Sequence, residues 1–155
     1  GDRALCVDRR ESPQSVRLVS VFGRSIPLHA GAVPKAILAW LSPDEQEALL
    51  AQLHTLPTFT DRTFRDAAAL RAELVAIRRR GHSYSDEDFD AAARGVGAPI
   101  FDASGTVVAG VSVGGPSYRV DDATLERFAA LVRAAADDIS SNLADGVPAP
   151  AVGPP

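Results

Sequence analysis

Two apolar runs, VGAPIF (Val96 to Phe101) and TVVAGVSVGG (Thr106 to Gly115), are separated only by Asp102-Ala103-Ser104-Gly105. Four residues can turn a strand back on its neighbour but cannot carry the chain across a sheet face. The two runs must therefore pair antiparallel. This excludes a βαβ Rossmann arrangement here. The G-V-G of Gly95–Gly97 agrees, because it lacks the third glycine and the helix of a dinucleotide-binding loop.

A second pair of strand-like runs lies near residue 1. ALCVDRR (Ala4 to Arg10) and SVRLVSV (Ser15 to Val21) flank ESPQ, a Pro-containing turn. They are expected to form a β-hairpin with Cys6 as inert core. Helices are expected between the hairpins. VPKAILAWL (Val33 to Leu41) admits Pro34 only in a first turn, where the missing N–H costs little. Ser42-Pro43-Asp44-Glu45 is a capping box with Pro at the first helical position; Leu49, Leu50 and Leu53 supply an apolar stripe. A third helix from Asp66 to Arg80 places Leu70, Leu74 and Ile77 on one face. Arg78, Arg79 and Arg80 match its dipole and read as a solvated end, and Gly81 stops it. A long helix from Asp121 to Leu143 carries Leu125, Phe128, Val132, Ala135, Ile139 and Leu143 on its face. The expected order is ββ, ααα, strand, ββ, α, which is a single α+β domain built on an antiparallel sheet.

Composition narrows the class. A chain of 155 residues, 46% hydrophobic and 23% charged, buries roughly 68–70% of its unfolded surface and builds its own core. No run of about 18 apolar residues is present to span a membrane, and residues 1–11 hold no signal segment. The net charge of −4 argues against gripping nucleic acid through phosphates. Cys6 is the only cysteine, which excludes an internal disulfide and fits a reducing cytoplasm. The chain has no Met, so it is expected to be part of a longer gene product whose remainder is N-terminal. Arg outnumbers Lys 15 to 1, read as a GC-rich coding bias. Residues 144–155, half of them Pro or Gly, are expected to be a disordered tail on a folded domain of residues 1–143.

Catalytic and metal motifs are missing. His29, His54 and His82 are scattered, and H-E-x-x-H, C-x-x-C and G-x-S-x-G do not occur. No catalytic residue, metal or cofactor is expected. Asp86, Glu87, Asp88 and Asp90 lack the glycine and distant Glu of a calcium loop and read as a solvated acidic loop. Two features suggest a small-molecule pocket. In TVVAGVSVGG, Val107, Ala109, Val111 and Val113 share one face, while Gly110, Ser112 and Gly114 share the other. A face that small is filled either by a closely packed helix or by a ligand. Before the first helix, Gly31 and Ala32 leave backbone amides approachable by an anion, or else pack tightly on the sheet.

These residues together resemble a family. PLHAGAVPKAILAWLSPDE, the T-x-x-T of Thr60 and Thr63, the R-x-x-G of Arg78 to Gly81, GAPIFDASGTVVAGVSVGGPSYRV and the final ISSNL resemble the isocitrate lyase regulator (IclR) family of bacterial transcription factors. The resemblance covers about Leu5 to Leu143. It implies a GAF-like effector-binding domain, joined in the whole protein to an N-terminal winged helix-turn-helix that this chain lacks. It further implies a homodimer or homotetramer, an organic acid or aromatic effector, and DNA contact only through the missing domain. In members that bind small keto-acids, a Gly-Ala amide pair, an Asp, a Cys and two Ser meet the ligand. Gly31 and Ala32 match the amide pair and Ser112 the first serine. Ser85 stands at the Asp position, Gly95 at the Cys position, Gly114 at the second Ser, and Pro34 at the usual Gly. Gly95, Gly110 and Gly114 would then leave a larger, less polar pocket suited to a bulkier or aromatic effector.

Three functions follow as expectations. The first is the effector-sensing domain of a cytoplasmic transcription regulator. The second is a GAF-like sensor or dimerisation module of another signalling protein. The third is an enzyme, of which a thiol reductase is the poorest fit because Cys6 is the sole thiol. At physiological salt the chain is expected not to bind duplex DNA, and a gel-shift titration to micromolar protein checks this.

Overall fold

Asp102 closes the loop that dictated the antiparallel pairing. Its Oδ1 accepts from the Ser104 amide (2.9 Å), the Ser104 hydroxyl (2.6 Å) and the Thr106 amide (3.0 Å). Gly105 takes φ +79°, which a side chain would resist. The computed structural model describes residues 1–146 apart from Val16, Val19 and Ser20. Strands β3 (Ser83–Asp86), β4 (Ala93–Phe101) and β5 (Val107–Pro116) form one antiparallel sheet in the order β3-β4-β5, with an irregularity at Ile100/Phe101. β3 lies inside HSYSDEDFD and is the single strand that the expected order placed before the second hairpin without assigning it residues.

The two faces of this sheet differ as their side chains demand. Val96, Ala98 and Ile100 are buried against α4 (Asp122–Ala144), which presents Leu125, Ala129, Val132 and Ala136. The expected face of α4 is corrected. Ile139 is 39% exposed and Leu143 49%, while Ala129 and Ala136 take central positions because small residues let helix and sheet approach. The opposite face belongs to α1 (Ala32–Leu38). A Cβ on Gly97 would lie 2.6 Å from the Ala32 carbonyl carbon. A Cβ on Gly110 would lie 3.0 Å from Val33 Cγ1 and 3.6 Å from Ile37 Cγ1. The space beside Gly110 is therefore filled by α1, and Gly110 is corrected from a pocket residue to a packing residue.

The rest of α1 faces the other way, against α2 (Pro43–Ala51) and α3 (Ala67–Arg80), in a cluster that includes Leu28, Leu38, Leu50, Leu70, Leu74 and Ile77. Covered on both sides, α1 is apolar almost all round. Local signals held. Ser42 and Glu45 form the capping box of α2, Asp66 caps α3, and Gly81 ends it at φ +78°. α1 is shorter than expected. It ends at Leu38, and Trp40 N–H turns back to the Ile37 carbonyl (2.9 Å). Arg78 is exposed, as a solvated helix end would be, and in addition donates to the carbonyls of Ala39 and Leu41 and so caps α1.

The expected first hairpin is also corrected. β1 (Arg3–Leu5) pairs antiparallel with β2 (Ser25–Pro27), in a two-stranded sheet of its own. Leu5 is 58% exposed and Val7 68%, so no buried face fixed the register that alternation suggested. Cys6 is half-buried, with Sγ 3.6 Å from the Asp8 carbonyl, and is not core. At the other end α4 runs through Ala144, one residue past the expected boundary, and residues 147–155 of the expected tail lie outside the described residues.

Gly97→Ala is expected to destabilise the fold by about 1–3 kcal/mol or more, because two backbones must separate. Gly115→Ala, whose Cβ would meet only the Val120 side chain at 3.1 Å, should cost clearly less. Urea denaturation of both variants checks the difference.

Candidate functional site

The chain's only lysine is buried. Lys35, on α1, is 3% exposed, and its ammonium is paired with Asp88, also 3% exposed. Asp88 sits in the segment between β3 and β4, which Glu87 and Ala92 enter and leave at φ +59°. Two further groups converge on its carboxylate. Gly31 N–H donates to Oδ2 at 3.3 Å and Ser85 Oγ to Oδ1 at 2.5 Å. The reading of Asp86 to Asp90 as a solvated acidic loop is thus corrected at Asp88. The burial has a physical reason: an ammonium and two neutral donors replace the water the carboxylate loses. A compact ammonium suits this enclosure better than a planar guanidinium.

The T-x-x-T pair holds the segment in place. Thr63 Oγ1 donates to the Asp88 carbonyl (2.8 Å) and accepts from the amides of Phe59 (3.0 Å) and Thr60 (2.9 Å). Thr60 Oγ1 donates to the Glu87 carbonyl (2.6 Å). Aromatic rings roof the cluster. Phe89 lies over Gly31 and against Phe59 (4.7 Å), which stacks on His29 (5.8 Å), and the Lys35 ammonium is 5.1 Å from the Phe64 ring. Beside them opens a cleft of about 310 Å³ to which Lys35, Asp88, Arg62, Phe64, Arg80 and Tyr84 all contribute. Burial and the hydrogen bond to Glu126 push the Tyr84 hydroxyl up to about 12, so it remains a neutral donor.

The structure gathers some of the expected site residues and separates others. Gly31 and Ser85 join the cluster, and Ala32 begins α1 beside it, with its carbonyl accepting from Ser83 Oγ. Gly95 faces Ser85 on one side and Gly114 on the other, and the two glycine backbones fill each other's side-chain space. Ser112 is exposed on β5, opposite Gly97, away from Asp88. Sequence reasoning missed Lys35 and Asp88. The available signal was the lone lysine among fifteen arginines, set in the apolar run VPKAIL. Among the described residues no cluster of His, Cys, Asp and Glu is placed to hold a metal ion, and no helix is long and apolar enough to cross a membrane.

The chain matches the family model for the C-terminal region of bacterial transcriptional regulator IclR over residues 1–141. It belongs to the IclR family. It is 37% identical over 144 residues to the HTH-type transcriptional regulator BhcR of Paracoccus denitrificans, covering 93% of this chain and 51% of the relative. It is 31% identical to the transcriptional repressor IclR of Escherichia coli, covering 88% and 50%. The crystal structure of Thermotoga maritima IclR superposes with a TM-score of 0.86 at 31% identity, over 92% of this chain and 57% of that one. The chain thus spans about half the length of these IclR relatives, and it has the α+β fold of their C-terminal domains. The relatives are transcriptional regulators, not enzymes.

Two histidines are expected to make this IclR domain sensitive to acid. Burial holds both His29 and His82 below the ordinary value of 6.5, and the nearby Arg80 charge adds to the effect at His82. His29 Nε2 donates to the Pro57 carbonyl (2.9 Å) and His82 Nδ1 to the Arg80 carbonyl (3.1 Å), while the other nitrogen of each ring is buried with no partner among the described residues. With native values below the unfolded ones, the unfolded chain takes up protons first. Stability is therefore complete above pH 6.5 and falls as pH drops below it. Melting curves at about pH 7.5 and 5.5 should show this loss, and His29→Gln with His82→Gln should flatten it.

Proposed function

We propose that this chain is the effector-sensing half of a DNA-binding transcriptional regulator. A small organic acid or an aromatic compound binds it and alters operator binding. DNA contact is assigned to a winged helix-turn-helix in the part of the protein that this chain does not span. The working assembly is a homodimer or homotetramer in the cytoplasm. Family membership supports the regulatory role. The single observation that carries the ligand assignment is the buried receptor for a carboxylate formed by Lys35, the Gly31 amide and Ser85 Oγ. The amides at Gly31 and Ala32 and the hydroxyl of Ser85 would orient an acid group. Phe64 and Tyr84, which line the cleft, would border an apolar or aromatic body, with Phe59 and Phe89 packed beside Gly31, as effector pockets pair an apolar wall with a few placed polar groups. This shifts the apolar wall from Gly95, Gly110 and Gly114 to these rings. Ser112 contributes only if the ligand extends along β5.

A thermal-shift screen of small aliphatic and aromatic acids tests the assignment. A true effector at 100 times its Kd is expected to stabilise the chain by about 2.7 kcal/mol. Ala32→Asp, which places a like charge beside the acid group, is expected to abolish that shift. A shift that survives this substitution puts the site elsewhere.

A further inference from the structure

Asp88 stands apart from its acidic neighbours. Its side chain is 5% exposed, against 46% for Asp86 and 29% for Glu87. An apolar pair of equal volume would serve the fold as well as a buried Lys–Asp pair, so stability alone does not account for it. Three donors from three places, Lys35 on α1, Gly31 before it and Ser85 on β3, meet at one carboxylate tethered to a segment between strands. Lys35 and Asp88 also line the 310 Å³ cleft, so the pair can be reached from it.

We propose that Asp88 is an internal ligand. Its carboxylate keeps the effector's place, and an effector binds by exchanging its own carboxylate for that of Asp88. This rests on the sensing role proposed above and narrows the ligand to a carboxylate. Exchange keeps Lys35 neutralised and all three donors satisfied. Simple addition would set two buried carboxylates against one ammonium, which is strongly unfavourable. Neutral ligands lack the charge to compete. The displaced side chain has a destination. Thr63 holds the Asp88 carbonyl and Thr60 that of Glu87, so the backbone stays and the side chain turns out into the cleft. Arg62 lines the same cleft, is 57% exposed, and pairs with Asp86 at 2.5 Å and Glu87 at 3.8 Å; Asp86 is also held by Arg94 at 2.8 Å, so Arg62 can release it and take up the Asp88 carboxylate. Occupancy of the buried site is thereby passed to a surface arginine.

Carboxylate rescue of Asp88→Ala tests this. The variant keeps Lys35, the Gly31 amide and Ser85 but has no carboxylate between them. Sodium acetate is expected to raise its melting temperature saturably, with a midpoint at least tenfold below that for the wild type. Acetamide and sodium chloride at matched concentration should not do so. Asp88→Ala combined with Lys35→Met removes both charges and should ignore acetate. Equal responses of Asp88→Ala and wild type to acetate overturn the proposal. If Asp88→Ala folds only in acetate, the proposal stands. If it folds in neither, Asp88→Asn carries the same titration, read by NMR at the single signal of isotopically labelled Lys35; an unmoved signal overturns the proposal. The lysine signal also separates this inference from the sensing role. A ligand that stabilises the wild type without moving it upholds sensing and overturns exchange at Asp88. Acetate rescue of Asp88→Ala with no carboxylate that moves the lysine signal of the wild type marks a structural ion pair and overturns the exchange.

Discussion

The contact on which the rest of the structure depends is the approach of α1 to the glycine side of β4. Gly97 lets the Ala32 carbonyl come so near that no Cβ fits between them. That approach brings Ser83 Oγ to the same carbonyl and sets Gly31 and Lys35 at the height of the β3–β4 segment. It also leaves the far side of α1 free to pack on α2 and α3. Sheet, helix and candidate site are therefore tied to one small residue. A bulkier one would move them together, because packed interiors yield as units.

Around this contact the polar groups are arranged with little redundancy. Arg78 caps the end of α1 from α3, and Thr60 and Thr63 secure the carbonyls of Glu87 and Asp88 from a separate loop. Each of these bonds joins segments distant in sequence, and the two threonine bonds hold the backbone from which Asp88 projects. A buried pair of opposite charges is a weak source of net stability but punishes the loss of either partner, typically by about 3–5 kcal/mol. Such a pair specifies one arrangement closely and makes any competing anion meaningful to the fold.

This bears on how an IclR-family domain can vary its ligand. The positions where the resemblance led one to expect Asp and Cys hold Ser85 and Gly95, which seemed to strip the pocket of polarity. The charge is instead supplied from Asp88, three residues beyond Ser85, and from Lys35 on the opposite side. Phe59 and Phe89 pack against each other beside Gly31, whereas Gly97 and Gly110 are occupied by helix packing.

The sequence by itself determined whatever rests on neighbours along the chain. The capping box at Ser42, the Gly81 stop of α3, the Asp102 turn and the alternation of valine and glycine along β5 are all short-range. Each was legible and each is present. Tertiary structure decided the remainder. β1 pairs with β2, and the large apolar residues Leu5 and Val7 of the expected first strand are exposed, so no buried face fixed a hairpin register there; Val16, Val19 and Ser20 of the expected second strand lie outside the described residues. The inner face of α4 turned toward Ala129 and Ala136 because the depth of the sheet surface, not periodicity alone, selects which residues fit. Asp88 looked like one acidic residue among several. Its partner amide at Gly31 is 57 positions away, and only the folded chain encloses the two. Burial is a property of the whole fold, and burial is what turned an ordinary carboxylate into the centre of the site.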